Sequence, residues 1–192
     1  ERREQLRQVI SFRFDFAEMA RRSLGSQWRR LSTKEQEEFV RLYTDLLERA
    51  YIDKIESYGD EKFAYLREKL DKDSAEVESR IVTNGGEEFS LNYKVHLMVG
   101  EWKVYDVVIE NISLVNNYRS QFTRIITNSS YDELVRRMKE KQIEATGEID
   151  QIDELVEVFG LVPDDCKHER WDQMRGLLQS AGWQEVLRIR RL

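Results

Sequence analysis

The residue in this sequence best suited to acid–base chemistry is Asp106, which lies within the apolar run VYDVV. A carboxylate on a strand of a cupped α+β fold could act as a general base toward a small substrate. The alternative is a structural aspartate that accepts hydrogen bonds at the edge of a strand. Because the sequence offers no identifiable partner acid or oxyanion-stabilising donor for it, the structural interpretation is favoured.

The sequence contains few candidate metal ligands or catalytic nucleophiles. The chain has two histidines, His96 and His168, and one cysteine, Cys166. His96 alternates with apolar residues, which predicts a strand position facing water or the outer side of a sheet. Cys166 lacks an accompanying His and Asn pattern, and one cysteine cannot supply a zinc site with two or more cysteine ligands. Because the sequence also contains no P-loop, GxGxxG, HExxH or GxSxG motif, we expect no catalytic residue, no metal and no cofactor.

The pair Tyr118-Arg119 is a candidate anion-binding site. A guanidinium group forms two-pronged hydrogen bonds to oxyanions, so this pair could hold a phosphate. Arg119 could equally well pair with one of the 37 acidic residues of the chain. The sequence leaves these two interpretations open.

The composition is typical of a chain that folds around one core. The 192 residues correspond to one domain, or to one domain with an appendage. Lys and Arg number 31 against 37 Asp and Glu, a net charge of −6 that disfavours nucleic acid as a partner. No apolar run reaches the roughly 18 residues of a membrane span. No apolar stretch follows the basic start either, so we expect any export signal to have been removed.

Helical periods of apolar residues predict four helices before residue 140. Asp15, Ser32 and Ser130 each precede a carboxylate by three residues, a spacing typical of helix N-caps. Gly25 stands where a left-handed residue would end the first helix. The predicted ranges are 16–24, 33–57, 114–127 and 131–138.

A period of two predicts strands between the second and third of these helices. Apolar and polar residues alternate over 89–97, and the preceding Asn84-Gly85-Gly86 is predicted to be a hairpin turn. Residues 77–83 should therefore pair antiparallel with 89–97. The strand 102–109 is predicted to place Tyr105, Val107 and Ile109 on one face. Residues 60–70 fit a helix or a strand by periodicity alone.

The order of elements is helices, then antiparallel strands, then helices. This order indicates an α+β fold and argues against a parallel sheet. The polar segment 139–151 is the best candidate for a boundary, and two further helices are predicted beyond it, on either side of the segment LVPDD. We therefore expect one domain over 1–145 and a C-terminal helical extension, 146–192, of unknown role.

Three stretches taken together resemble one family. They are Phe14–Tyr51, with the motifs FDF, LGxxW and EQxEF; Leu91–Phe122, with WKVYD and ISLVxNYRSQF; and the segment YDELVRRMKEK. The combination resembles the MlaC family of periplasmic phospholipid-binding proteins, which serve the toluene-tolerance and lipid-asymmetry ABC transport systems of Gram-negative bacteria. The resemblance ends near residue 145.

This resemblance implies a curved antiparallel sheet, similar to the NTF2-like cup, backed by helices that enclose an apolar cavity. It also implies that residues 60–70 form a strand. The cavity would hold the acyl chains of a glycerophospholipid. The residues whose positions match the family pattern and are expected to line it are Trp28, Leu42, Leu46, Tyr93, Val95, Tyr105, Val107, Ile109, Ile112, Leu114, Tyr118 and Phe122.

The function implied by the resemblance is that of a non-enzymatic lipid shuttle in the periplasm. Its partners would be an inner-membrane ABC transporter complex with an MCE-domain protein and an outer-membrane lipoprotein complex, with the partner ATPase supplying the energy. Two other functions remain open at this point. One is an NTF2-like dehydratase or isomerase with Asp106 as the base, and the other is a protein-binding adaptor whose apolar residues fill a solid core.

Overall fold

The computed structural model describes residues 10–56, 62–82 and 88–143, together with Gln8 and Gly86. Side chains are described for all of these except 52–56 and 62–63. The predicted boundary near 146, the two predicted C-terminal helices, and His168 and Cys166 lie outside the described residues. So does most of the predicted Asn84-Gly85-Gly86 turn.

The first two helices begin where their capping residues predict, and the first also ends at its predicted residue. Helix α1 is Phe16–Leu24, and the Asp15 carboxylate accepts a hydrogen bond from the Glu18 backbone N–H at 2.9 Å. Gly25 has φ +58° and ends α1, and a 3₁₀ helix, Gly25–Arg30, follows. Helix α2 is Thr33–Glu56, and at its start the Ser32 N–H donates to the Glu35 carboxylate at 2.7 Å.

Five strands form one curved, open, antiparallel sheet in the order β1-β2-β3-β4-β5. Strand β1, which includes most of the ambiguous segment 60–70, confirms the strand interpretation. The β2–β3 pairing confirms the predicted hairpin. The strand bounds are Lys62–Asp71 for β1, Ser74–Val82 for β2, Glu88–Met98 for β3, Glu101–Ile109 for β4 and Ile112–Ser113 for β5.

Two helices follow the sheet directly. Helix α3 is Leu114–Asn128, capped by Ser113, and α4 is Tyr131–Lys139, capped by Ser130. Helix α1 packs against α2, α3 and β4, while α4 packs against α2 and α3. The predicted α+β class is confirmed. None of the described helices is both long enough and apolar enough to cross a membrane.

The core lies between these helices and one face of the sheet. Alternate residues of β2 and β3 are buried on that face, among them Val77, Ile81 and Leu91. The helices contribute a group of aromatic rings: Phe39 packs edge-on against Phe122 with ring centroids 5.7 Å apart. One continuous core therefore joins both helix pairs to the sheet.

Candidate functional site

Eleven of the twelve predicted lipid-binding residues belong to this single core. Eight are buried and the other three, Trp28, Leu42 and Ile112, are partly buried against them. The buried eight are Leu46, Tyr93, Val95, Val107, Ile109, Leu114, Tyr118 and Phe122. The structure thus brings these positions together from the 3₁₀ helix, α2, three strands and α3.

The core side chains are closely packed against one another. Leu46 and Val107 are each 1% exposed and Phe122 is 0% exposed. An acyl chain can occupy the space among them only if the helices and the sheet move apart, because a close-packed interior has no void of that size. The surfaces that such a movement would uncover are apolar and aromatic.

The interior also contains tyrosine hydroxyls. Ser23 and Tyr43 are hydrogen bonded at 3.0 Å, and the ring of Tyr43 lies edge-on to that of Tyr118 with centroids 5.7 Å apart. Burial raises the pKa of Tyr43 well above its ordinary value, an effect that the hydrogen bond from Ser23 only partly offsets. The hydroxyl therefore stays neutral and adds no charge to the core.

Trp28 and the twelfth predicted residue, Tyr105, line an open pocket of about 620 Å³. The pocket lies between the end of α1, the 3₁₀ helix, the middle of β3 and β4, and the first turns of α3. Five basic side chains line it: Arg21, Arg22, Arg29, Lys94 and Arg119. We call it the basic pocket.

The position of Tyr105 differs from the sequence prediction because β4 contains a bulge. Lys94 pairs with Asp106 and Val95 with Val104, which leaves Tyr105 as an extra residue. Its ring contacts His96, with centroids 5.3 Å apart, while Val107 lies in the core. The prediction that Tyr105 shares a face with Val107 and Ile109 is therefore wrong. A bulge that depends on pairing between two strands leaves no signal in the alternation of one of them.

Asp106 is 4% exposed and holds the junction between β4 and α3. Its carboxylate accepts hydrogen bonds from the Ser113 hydroxyl at 2.6 Å and from the Val115 backbone N–H at 3.1 Å. The Lys94 ammonium lies 3.6 Å away. These contacts support the structural interpretation of Asp106 over its use as a base.

Of the two positions predicted for His96, the one facing water is wrong, because the side chain is only 22% exposed. His96 alternates with the buried Tyr93 and Val95 of β3, which is consistent with the other prediction, a position on the outer side of the sheet. Its Nε2 lies 3.0 Å from the carboxylate of Asp15, and both side chains are mostly buried. Asp15 is held there because its backbone N–H donates to the carbonyl of Val104 at 2.8 Å. The partners His96 and Asp15 are 81 residues apart, so periodicity in either segment could not reveal the pair.

Tyr118 and Arg119 do not form a common anion site. Tyr118 is fully buried in the core, whereas Arg119 is exposed and lines the basic pocket. Consecutive residues of a helix point in different directions, which explains the separation. The arginine alone keeps the predicted ability to bind an oxyanion.

Metal-binding residues do not cluster in the part of the chain that the structure describes. Within those ranges, no three side chains of His, Cys, Asp and Glu come together as a metal site would require. The candidate functional features of the described region are an apolar core and a basic pocket beside it.

Comparison with known proteins points to one family. Residues 1–140 match the sequence profile described as MlaC protein. The chain is 27% identical over 122 residues to the intermembrane phospholipid transport system binding protein MlaC of Haemophilus influenzae, covering 61% of this chain and 57% of that protein. It therefore spans less than two thirds of that relative's length.

A solved structure is similar to this fold. It is a phospholipid-binding protein from Ralstonia solanacearum, determined in complex with a phospholipid. The TM-score is 0.66 with 25% sequence identity, and the match covers 73% of this chain and 82% of the other. The arrangement of helices on a curved sheet is thus shared with a protein that holds a lipid.

Proposed function

The chain belongs to the MlaC family, and from this we propose that it binds a glycerophospholipid and carries it between two membranes. The observation that carries the proposal is the solved relative of similar fold that contains a phospholipid. Eleven predicted lipid-binding residues, gathered in or against one apolar core, support the same function.

The proposed site for the acyl chains is the interior between α2, α3 and the buried face of β3 and β4. Leu46 and Phe122 would contact the chains from the helices, and Val95, Val107 and Ile109 from the sheet. These side chains are apolar. Each CH₂ group of the lipid that is buried against them contributes about 0.8 kcal/mol to binding. The phosphate head group would remain at the edge, where polar groups and water are available.

A carrier is needed because acyl chains do not cross water unaided. At about 0.8 kcal/mol per CH₂, two acyl chains cost roughly 20–25 kcal/mol to expose to water. A protein that replaces most of this apolar contact lowers the cost of leaving the membrane. The apolar interior of this chain is suited to that role.

Loading requires the core to open. Leu46, Val107 and Phe122 are almost fully buried by their neighbours, so the lipid must separate the helices from the sheet. Helix α2 takes its main backbone contacts from α1 and α4. We therefore expect α2 to move together with these helices when the lipid enters.

The contacts of Asp106 favour a binding protein over the alternative dehydratase or isomerase. Both carboxylate oxygens accept hydrogen bonds, from Ser113 and from the Val115 N–H. A general base must come within hydrogen-bond reach of a substrate proton, and only 4% of Asp106 is exposed. The role that these contacts give Asp106 is to fix the start of α3.

The proposed partners and location follow from family membership. We expect the protein to work in the periplasm, to exchange lipid with an inner-membrane ABC transporter complex that includes an MCE-domain protein, and to exchange lipid with an outer-membrane lipoprotein complex. The relative from H. influenzae is named as the binding protein of an intermembrane phospholipid transport system. Energy for directed transfer would come from the transporter's ATPase.

The test is lipid uptake by the delipidated protein. The chain is incubated with liposomes that contain a fluorescent phospholipid, and the liposomes are then removed by centrifugation. The proposal predicts that labelled lipid stays with the soluble protein at up to about one molecule per chain. Absence of label above that seen with a non-binding control protein would contradict it and would favour an adaptor with a solid core.

A further inference from the structure

The basic pocket concentrates positive charge in a chain whose net charge is −6. Arg21 and Arg22 share one carboxylate, that of Glu18, at 2.6 Å and 2.7 Å. Lys94 lies near the carboxylate of Asp106, which is occupied by other hydrogen bonds. The hydrogen bond to Glu18 raises the pKa of Arg21, and the negative charge of Asp15 adds to this effect. Five basic side chains against these three carboxylates leave an excess of two positive charges.

Two of the basic side chains have no acidic partner. Within the described part of the chain, neither Arg29 nor Arg119 makes an ion pair or a side-chain hydrogen bond. Their N–H donors are therefore available to a ligand that enters the pocket.

The fold makes a specific space for Arg119. A Cβ on Gly25 would lie 3.1 Å from both Nε and Nη2 of the Arg119 guanidinium. Glycine at this position thus allows the positive φ of +58° and also lets the guanidinium lie directly over the backbone. The guanidinium of this exposed residue therefore lies against the backbone at the start of the 3₁₀ helix.

Two aromatic side chains, Trp28 and Tyr105, also line the pocket. The guanidinium of Arg22 lies over the ring of Tyr105, 4.1 Å from its centroid. Trp28 lines the pocket from the 3₁₀ helix. The bulge in β4 therefore has a consequence for the site, because it places Tyr105 where it can orient an arginine.

We propose that the basic pocket binds a phosphate group, either on a free small molecule or on the head group of a phospholipid. Arginine guanidinium groups bind phosphate oxygens through paired N–H donors, and Arg29 and Arg119 have such donors free. The volume of about 620 Å³ is large enough for a glycerol phosphate and lies in the usual range for ligand sites. This inference does not depend on the chain carrying lipid in its core.

The test compares two phosphate sources on the full chain. Glycerol 3-phosphate is titrated by calorimetry, and binding to vesicles of phosphatidylglycerol with phosphatidylcholine is measured by co-sedimentation against phosphatidylcholine vesicles alone. Saturable binding of glycerol 3-phosphate shows that a free small molecule is enough to occupy the basic pocket. Binding only to the anionic vesicles identifies the lipid head group as the source.

Substitutions on one helix provide the matched comparison. Arg119→Gln removes a guanidinium of the pocket, and Arg124→Gln removes an exposed guanidinium of α3 that does not line it. We expect Arg119→Gln to weaken binding by about tenfold, in the experiment of the two that detects binding to the unmodified chain. This is the effect of losing one charge-assisted hydrogen bond. Arg124→Gln should leave binding unchanged.

A second variant guards against an indirect effect. Arg29→Gln comes from a different element, so it should weaken the same interaction independently of any change in α3. Circular dichroism confirms that each variant is folded. No binding in either arm, or equal losses for Arg119→Gln and Arg124→Gln, would overturn the proposal. Lipid uptake by the same variants, measured separately, keeps the outcome distinct from that of the proposed carrier function.

Discussion

The side chains of Asp106 and Ser113 are joined by a hydrogen bond of 2.6 Å that ties the end of β4 to the start of α3. Ser113 also accepts from the Asn116 N–H at 3.1 Å, and Asp106 accepts from the Val115 N–H at the same distance. Two backbone donors of the first turn of α3 are thereby satisfied. The carboxylate that most resembles a catalytic group is thus part of a helix cap.

Substitution Asp106→Asn should leave lipid binding and transfer intact. The amide keeps one oxygen acceptor but loses the charge, so we expect the free energy of unfolding to fall by about 1.5–3 kcal/mol. Transfer of labelled phospholipid between vesicles, measured beside a urea melt, checks both points. Asp45→Asn, which removes an exposed ion pair with Arg49, is the control and should cost less than about 1 kcal/mol. A folded Asp106→Asn protein that cannot transfer lipid would show that Asp106 does more than cap α3.

Substitution Val107→Glu should abolish lipid loading. Val107 is buried in the proposed acyl-chain site, where an added carboxylate must stay ionised without water or take up a proton. We expect a lower melting temperature but a retained helical circular-dichroism signal, because an interior that can open admits water to the carboxylate. Uptake of fluorescent phospholipid measures the loss of loading.

Val99→Glu is the matched control for this variant. Val99 lies in the β3–β4 turn and is fully exposed, at 102%. The same change there should alter neither stability nor loading. If Val107→Glu unfolds the protein while Val99→Glu does not, the core is solid and the adaptor interpretation gains support.

The Asp15 side chain caps α1 and contacts His96 on β3. Asp15→Ala should therefore lower the free energy of unfolding more than His96→Ala does. Asp15→Ala loses the N-cap of α1 and the contact with His96, and we expect about 1–2 kcal/mol of destabilisation. His96→Ala keeps the N-cap and loses the contact with Asp15 and the ring contact with Tyr105. Urea unfolding of both variants gives the order, with Asp132→Ala, an exposed acid in the first turn of α4, as a control. Equal effects of Asp15→Ala and His96→Ala would contradict the capping role.

Glu18 should contribute a pH-dependent part of the stability. Burial disfavours its charged form, but hydrogen bonds from Arg21 and Arg22 outweigh this and hold the pKa below the ordinary 4.5. A carboxylate with a lowered pKa stabilises the fold above its unfolded pKa and loses that contribution as the pH falls through the folded value. The difference in unfolding free energy between the wild type and Glu18→Gln should therefore be constant above about pH 5 and shrink below pH 4.5. Urea melts at pH 3 to 7 measure it, and a difference independent of pH would contradict this assignment.

Local sequence signals predicted the elements because the deciding interactions are local. Asp15 and Ser32 lie three residues from the groups they cap, and Gly25 ends α1 through its own conformation. The strand assignments of β3 and β4 followed from alternation, and the antiparallel pairing of β2 with β3 followed from the predicted turn between them. The strand assignment of residues 60–70 came from the family resemblance. The twelve proposed site residues were named from family resemblance, since periodicity alone does not distinguish a core from a ligand site.

The features that sequence could not predict depend on contacts between distant segments. The bulge at Tyr105 arises from the pairing of β3 with β4, and the contact of Asp15 with His96 joins residues 81 positions apart in the sequence. The basic pocket combines side chains from α1, the 3₁₀ helix, β3 and α3. Arg119 drew attention as an oxyanion binder, but only the fold separates it from Tyr118 and places it over Gly25.

The central claim, that this chain carries a phospholipid, is tested most directly by native mass spectrometry of the protein purified from a Gram-negative periplasm. We expect a species heavier than the 23.0 kDa chain by the mass of about one diacyl phospholipid, lost on collisional activation and identified after organic extraction. Incubation with liposomes should restore that species to delipidated protein. A spectrum that shows only the bare chain, both as purified and after incubation with liposomes, would contradict the account.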